Sequence, residues 1–158
     1  MHDPFSDHDH DHCAGDALRR AEAVSADRGV RLTPVRRRAL EILLEEHRAL
    51  GAYDVLERLA EEGFGKQPPV AYRALEFLVE NGLAHRIRRL NAFVACTHAG
   101  EAHEAMFLIC DGCGTVAEAP GKAARRAVEK AAGEMGFAVE RASIEAVGTC
   151  RSCQEARA

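Results

Sequence analysis

Apolar residues recur through residues 14–80 at the three- and four-residue spacing of amphipathic helices, and that spacing is lost after Gly82. Leu18, Ala21, Ala23 and Val24 mark one side of a first predicted helix, which begins near Ala14 and ends at Gly29. Thr33-Pro34 reads as a helix start, because threonine can cap free backbone N–H groups and proline's fixed φ suits the first turn. The helix it opens points Val35, Ala39, Ile42 and Leu43 inward and carries Arg36, Arg37 and Arg38 in its first turns. A third helix starts near Ala52, carries Tyr53, Val55, Leu56 and Leu59, and stops at Gly63. Pro68-Pro69 opens a fourth, with Ala71, Leu75, Leu78 and Val79 buried and Asn81-Gly82 as its stop.

Beyond Gly82 the pattern becomes strand-like. Leu83 to Arg88 and Ala92 to Cys96 read as two short strands joined by Arg89-Leu90-Asn91. Several helices followed by a hairpin is the element order of a winged helix-turn-helix domain, whose last helix before the wing enters the DNA major groove. Tyr72 and Arg73 fall in the first turns of that helix, and Arg86, Arg88 and Arg89 fall on the wing, where they suit phosphates. Thr97 to Ala102 reads as a linker. The remainder reads as strand (105–109), turn, strand (114–119), helix (120–135), strand (137–147) and a second turn. Its open strand edge and the apolar Val139, Ile144 and Val147 favour pairing with a second copy. The predicted class is α+β: an N-terminal winged helix-turn-helix domain, then a small α/β dimerisation domain. The divisions are a disordered His/Asp-rich tail over 1–13, the DNA-binding domain over 14–95, a hinge over 96–102 and the dimerisation domain over 103–158.

Composition narrows the class. The chain has 158 residues, 47% of them apolar, yet no 18-residue apolar run and no basic stretch leading into an apolar one. A membrane span or secretory leader is therefore not expected, and a cytoplasmic protein is. In that setting six cysteines read as metal ligands or redox groups rather than disulfides. Charge is uneven: residues 14–93 hold 14 Arg and Lys against 12 Asp and Glu, whereas residues 94–158 hold 7 against 9. The basic excess thus falls on the domain predicted to meet a polyanion. In the tail, His8, His10, His12 and Cys13 alternate with aspartates, a pattern suited at most to loose transition-metal binding.

The chemistry concentrates at two ligand sets. Cys110-Asp-Gly-Cys113 and Cys150-Arg-Ser-Cys153 share the C-x-x-C spacing, and two such turns can close a tetrahedron of thiolates around zinc with no open position. That predicts a structural site, although a redox pair uses the same spacing. The second set comprises His85 and Cys96 on or beside the wing, with His98, His103 and Glu118 beyond them and Glu101 and Glu104 nearby. A metal held there would bridge the two domains. No H-E-x-x-H motif is present, and no enzyme is predicted.

The segments R-L-T-P-V-R (31–36), A-Y-D-V-L (52–56), P-P-V-A-Y-R-A-L (68–75) and A-M-F-L-I-C-D-G-C-G-T-V-A-E (105–118) carry a resemblance. The chain resembles the Fur family of metal-responsive repressors, and within it the zinc-uptake branch, from about residue 15 to Cys153. The resemblance implies two zinc ions per subunit, a structural one on Cys110, Cys113, Cys150 and Cys153 and a regulatory one on His85, Cys96, His103 and Glu118. It also implies that Tyr53, Tyr72 and Arg73 face DNA, with Arg36 a further candidate, and that a homodimer represses zinc-uptake genes from AT-rich palindromic operators on double-stranded DNA. The other branches usually carry H-x-H ahead of the C-x-x-C, whereas here His103 stands without a second histidine and Cys96 supplies sulfur, which favours zinc over iron or manganese. Where the family usually has T-V-Y-R, this chain has Val70-Ala71-Tyr72-Arg73. The alternatives are a sensor of iron or manganese, or a zinc buffer working through the His-rich tail.

Overall fold

The computed structural model describes residues 4–5 and 10–157, the side chains of His10 and Asp11 excepted. Four helices lead: α1 (His10–Asp27), α2 (Pro34–Leu44), α3 (Ala52–Glu61) and α4 (Pro68–Glu80). A hairpin follows, β1 (Ala84–Ile87) and β2 (Ala92–Ala95), antiparallel with His85 opposite Val94. The rest is β3 (Ala105–Cys110), β4 (Val116–Pro120), α5 (Lys122–Glu134), β5 (Glu145–Gly148) and α6 (Arg151–Arg157). Strand order in the second sheet is β4-β3-β5, with β4 antiparallel and β5 parallel to β3.

The periodicity that predicts the helices is also what buries them. Leu40, Ile42 and Leu43 from α2, Val55 and Leu59 from α3, and Leu75 and Leu78 from α4 are each at most 2% exposed and share one core. Pro34 starts α2 beside an extended Thr33, whose hydroxyl makes no cap bond, so proline's fixed φ is the signal that acts. At α3 the Gly51 N–H donates to Asp54 Oδ2 at 2.8 Å. A second, smaller core joins the hairpin to the far sheet: Ile87 and Val94 pack with Phe107, Ile109 and Val116. The segment 47–50 splints the same junction. Leu50 exchanges two backbone hydrogen bonds with Phe93, and the Val116 N–H donates to the His47 carbonyl.

Four expectations need correction. First, α1 begins at His10, so the last residues of the predicted tail are helical. His12 lies 3.4 Å from Asp16 at i,i+4 spacing and Asp16 pairs with Arg19, so these charges are partnered along the helix surface. Residues 1–3 and 6–9 of the predicted tail, His8 included, lie outside the described residues. Second, the inner stripe of α1 is Ala17, Ala21 and Ser25 at four-residue steps, and Ala23 is exposed. Third, the predicted strand 137–147 shrinks to β5. It pairs with β3 from Phe107 opposite Glu145 to Cys110 opposite Gly148, and the Phe107 N–H reaches back to the Ile144 carbonyl at 2.9 Å, while 137–143 run outside the sheet. Fourth, the last C-x-x-C opens helix α6, beginning with the Gln154 N–H donating to the Cys150 carbonyl at 2.9 Å.

The stretch predicted as a linker is packed. Ala99 is 8% exposed, and a Cβ on Gly100 (φ +88°) would come within 2.7 Å of Val24 Cγ2 on α1. Arg20 of α1 donates to the Thr97 carbonyl at 3.2 Å. No helix among the described residues is long and apolar enough to cross a membrane.

Candidate metal centres and nucleic-acid interface

Cys110 ends β3, Cys113 lies in the turn before β4, Cys150 follows β5 and Cys153 lies in α6. The parallel pairing of β5 with β3 brings the two C-x-x-C motifs together, and the four Sγ atoms lie within 4.8 Å of one another. Cys113 Sγ and Cys150 Sγ are 3.9 Å apart, far beyond a disulfide, whereas a zinc–sulfur distance of about 2.3 Å sets tetrahedral sulfurs about 3.8 Å apart. A Cβ on Gly112 would sit 2.9 Å from Cys153 Sγ, so the glycine leaves the room that the sulfur needs. Backbone N–H groups of Cys150 and then Cys113 pull the Cys110 thiol down to about 6. The interaction with Cys150 and burial hold Cys153 up at about 12. The sulfur cradle fits a closed structural zinc.

The second cluster spans the junction between the sheets. His85 comes from β1, Cys96 follows β2, His103 precedes β3 and Glu118 lies on β4, and one ligand atom from each falls within 4.8 Å of the others. The Glu118 side chain is 4% exposed. Its Oε2 accepts from the Thr97 N–H and hydroxyl, both at 3.1 Å. Its Oε1 lies 2.7 Å from His103 Nε2 and 3.5 Å from His85 Nε2, yet Oε1 and His85 Nε2 are buried without a hydrogen bond. His103 Nδ1 is 2.8 Å from the Glu101 carbonyl, a contact the ring makes only as N–H donor. With that N–H on Nδ1, Nε2 faces Oε1, and the two lone pairs repel at that distance unless a proton or metal cation sits between them. Burial raises the Glu118 pKa, but the contacts with His85 and the Thr97 N–H outweigh it, leaving about 2. Burial, reinforced by Glu118, pushes the Cys96 thiol up to about 12. This donor set, one sulfur with two imidazoles and a carboxylate, fits zinc.

The face predicted to meet DNA is assembled at the N-terminal ends of α3 and α4. Tyr53 and Tyr72 are 65% and 40% exposed and stand edge to face with ring centroids 6.4 Å apart. Both line a shallow groove of about 170 Å³ with Arg86 and Asn91 of the wing. Arg73 is exposed and makes no ion pair among the described residues. Arg36 lies apart from that groove, with its guanidinium 3.7 Å above the Phe77 ring and donating to the Arg31 carbonyl.

A family model, the ferric uptake regulator family, matches residues 27–147. The chain belongs to the ferric uptake regulator family. The zinc uptake regulation protein of Escherichia coli K12 is 38% identical over 142 residues, which is 89% of this chain and 83% of that protein. Among solved structures of the ferric uptake regulator family, a zinc uptake regulator complexed with zinc and DNA superposes with a TM-score of 0.83 at 36% identity, covering 91% of this chain and 97% of that one. Holo XcZur superposes with a TM-score of 0.77 at 35% identity, over 87% and 96% of the two chains. Apo XcZur reaches only 0.52 at 36% identity, over 89% and 97%. Identity and coverage are nearly equal in that pair, so the contrast is one of conformation, and this chain superposes better on the holo form than on the apo form.

Both predicted ligand sets of this family member converge. His98 approaches Glu118 to 3.5 Å, but its Nδ1 is engaged by the Thr97 hydroxyl at 3.0 Å, and the converging four are His85, Cys96, His103 and Glu118. Sequence reading misses the residues that hold those ligands. Thr97 fixes the carboxylate, the Glu101 carbonyl fixes the His103 ring, and Phe107 backs the His85 ring at 5.1 Å between centroids. Thr97 and Glu101 flank ligands in the chain, and that adjacency is the only signal they carry.

Proposed function

We propose that the chain is a zinc-responsive, DNA-binding transcriptional repressor of zinc-uptake genes, acting in the cytoplasm as a homodimer on AT-rich palindromic double-stranded DNA. The observation that carries the reading is the second cluster. Two ligands from the wing, His85 and Cys96, meet two from the far unit, His103 and Glu118, within 4.8 Å, with buried polar atoms left for a cation. The names of its relatives support zinc as that cation and DNA as the partner.

On this reading residues 14–95 bind DNA, 96–102 form the hinge and 103–158 dimerise. The four cysteines hold one zinc that keeps the dimerisation unit folded, and His85, Cys96, His103 and Glu118 hold the regulatory one. Zinc at the hinge would supply four bonds that tie wing to sheet. The protein residues do the rest. Thr97 orients the Glu118 carboxylate, Glu101 orients the His103 ring, and Ile87 and Val94 seat the wing on Phe107 and Ile109. With the wing seated, Tyr53, Tyr72 and Arg73 are presented at a fixed angle. Shifting a population from 1:99 to 99:1 takes about 5.5 kcal/mol of differential binding, within reach of a four-ligand site. Dimerisation would cover Val128, Met135, Phe137 and Val147, which are 43–86% exposed in one chain, and α5, which buries no residue by itself. The reading assigns the chain no reaction.

The test is fluorescence anisotropy of an AT-rich palindromic duplex at buffered free zinc, with iron, manganese and a scrambled duplex as controls. Zinc should raise affinity for the palindrome alone. Equal binding with and without zinc would overturn the reading. A variant lacking residues 1–12 should keep the switch, whereas a zinc buffer would lose capacity.

A further inference from the structure

The far sheet reaches the wing a second time, away from the metal cluster. Glu145, the first residue of β5, directs its carboxylate at the turn of the hairpin: Oε1 accepts the Arg88 N–H at 2.7 Å and Oε2 accepts the Arg89 N–H at 3.0 Å. A carboxylate that takes one backbone N–H on each oxygen forms a charge-assisted, directional pair. Among the described residues it engages the backbone alone. The Arg88 and Arg89 side chains remain exposed, without ion pairs among the described residues, and so are available to phosphate. The turn it grips is tight, closed by the Asn91 N–H on the Arg88 carbonyl with Asn91 at φ +47°.

The register places this contact in line with the hinge. Glu145 pairs with Phe107 across β5 and β3, so their side chains leave the same face of the sheet. Phe107 packs against the ring of His85, and Glu145 holds the turn that follows β1. His85 and Arg88 are three residues apart, about 10 Å of strand. The same short strand is thus held at both ends by one register position of the far sheet. A single anchor would let the wing pivot, and two anchors along one strand fix its angle.

We propose that Glu145 is a positioning residue for the wing, a clip that closes with the hinge and sets the angle at which the wing arginines reach DNA. The inference rests on the regulatory reading above. If clip and hinge zinc both favour the seated wing, linkage makes them reciprocal: each strengthens the other by the same factor. Removing the carboxylate then weakens zinc at the hinge, although Glu145 touches no ligand.

Amide hydrogen exchange on the full-length dimer, with the four-cysteine zinc in place, reads the clip directly. In the wild type, hinge zinc should slow exchange at the Arg88 and Arg89 amides by about tenfold or more. Glu145→Ala should abolish that slowing and weaken hinge zinc by about tenfold in a chelator competition, while circular dichroism and dimer mass stay unchanged. Glu145→Gln keeps the shape and the acceptor oxygen without the charge, and should fall between the two; it also serves if the alanine variant folds poorly. The inference is overturned if the wild-type amides exchange equally with and without zinc while DNA binding still responds to zinc. It is equally overturned if both variants keep wild-type protection and zinc affinity. If wild-type DNA binding itself ignores zinc, the regulatory reading fails and this inference falls with it.

Discussion

At the scale of single residues, the hinge cluster depends on a threonine that binds no metal. Thr97 donates twice to Glu118 Oε2 and thereby aims Oε1 at the imidazoles. Removing a hydrogen bond that orients a metal ligand typically costs ten- to a hundredfold in affinity. Thr97→Val keeps the shape and the backbone N–H while deleting the hydroxyl, so hinge zinc should weaken by about tenfold with the fold intact, measured by chelator competition. Cys96→Ser goes further, because the sulfur is itself one of the four converging donor atoms and lies 3.6 Å from His103 Nε2. The variant should remain a folded dimer, carry one zinc per subunit instead of two, and bind the palindromic duplex without zinc dependence; an unchanged response would remove Cys96 from the site. The two converging clusters were legible in the sequence because cysteine, histidine and carboxylate declare their chemistry. Thr97 was not, because a bond to a carboxylate 21 residues away leaves no pattern in the chain.

At the scale of elements, the helices were legible and the edges of the molecule were not. The stripes of α2, α3 and α4 are set by burial against one another, and periodicity reports burial. The packing of α1, the short β5 and the whole of α6 involve partners distant in sequence: Val24 of α1 lies against Gly100, β5 pairs with β3, and α6 carries Cys153 to the sulfur cluster. The arginines separate on the same principle. Arg73 projects freely from the first turns of α4, so Arg73→Ala should keep zinc binding and stability and lose about 1–3 kcal/mol of sequence-specific DNA affinity, read by anisotropy against a scrambled duplex. Arg36 stands among the DNA candidates, but its guanidinium lies on Phe77 and joins α2 to α4. Arg36→Ala should lower folding stability by roughly 0.5–1 kcal/mol, visible as a lower urea midpoint, with the zinc response retained.

At the scale of the whole molecule, the two metal sites differ in what their ligands must bring together. Cys110, Cys113, Cys150 and Cys153 all belong to the far unit, where strand pairing has already aligned them. His85 and Cys96 belong to the wing side and His103 and Glu118 to the far unit, so binding at the hinge also carries the cost of seating one on the other. The sheet unit, by contrast, buries few large side chains, and its helix α5 buries none, so on the proposed reading its fold depends on the cysteine site and on the dimer partner. Stepwise chelation should therefore show two transitions. Loss of the first zinc should abolish DNA binding and loosen the arrangement toward that of an apo form, raising the radius of gyration in solution scattering while mean helicity and dimer mass hold. Loss of the second should unfold the sheet unit and release monomers, seen by circular dichroism and sedimentation. Cys110→Ser should begin at that second state. Simultaneous loss of both metals, or a dimer that persists after the second has gone, would contradict this division between a site that builds the dimer and a site that sets its angle.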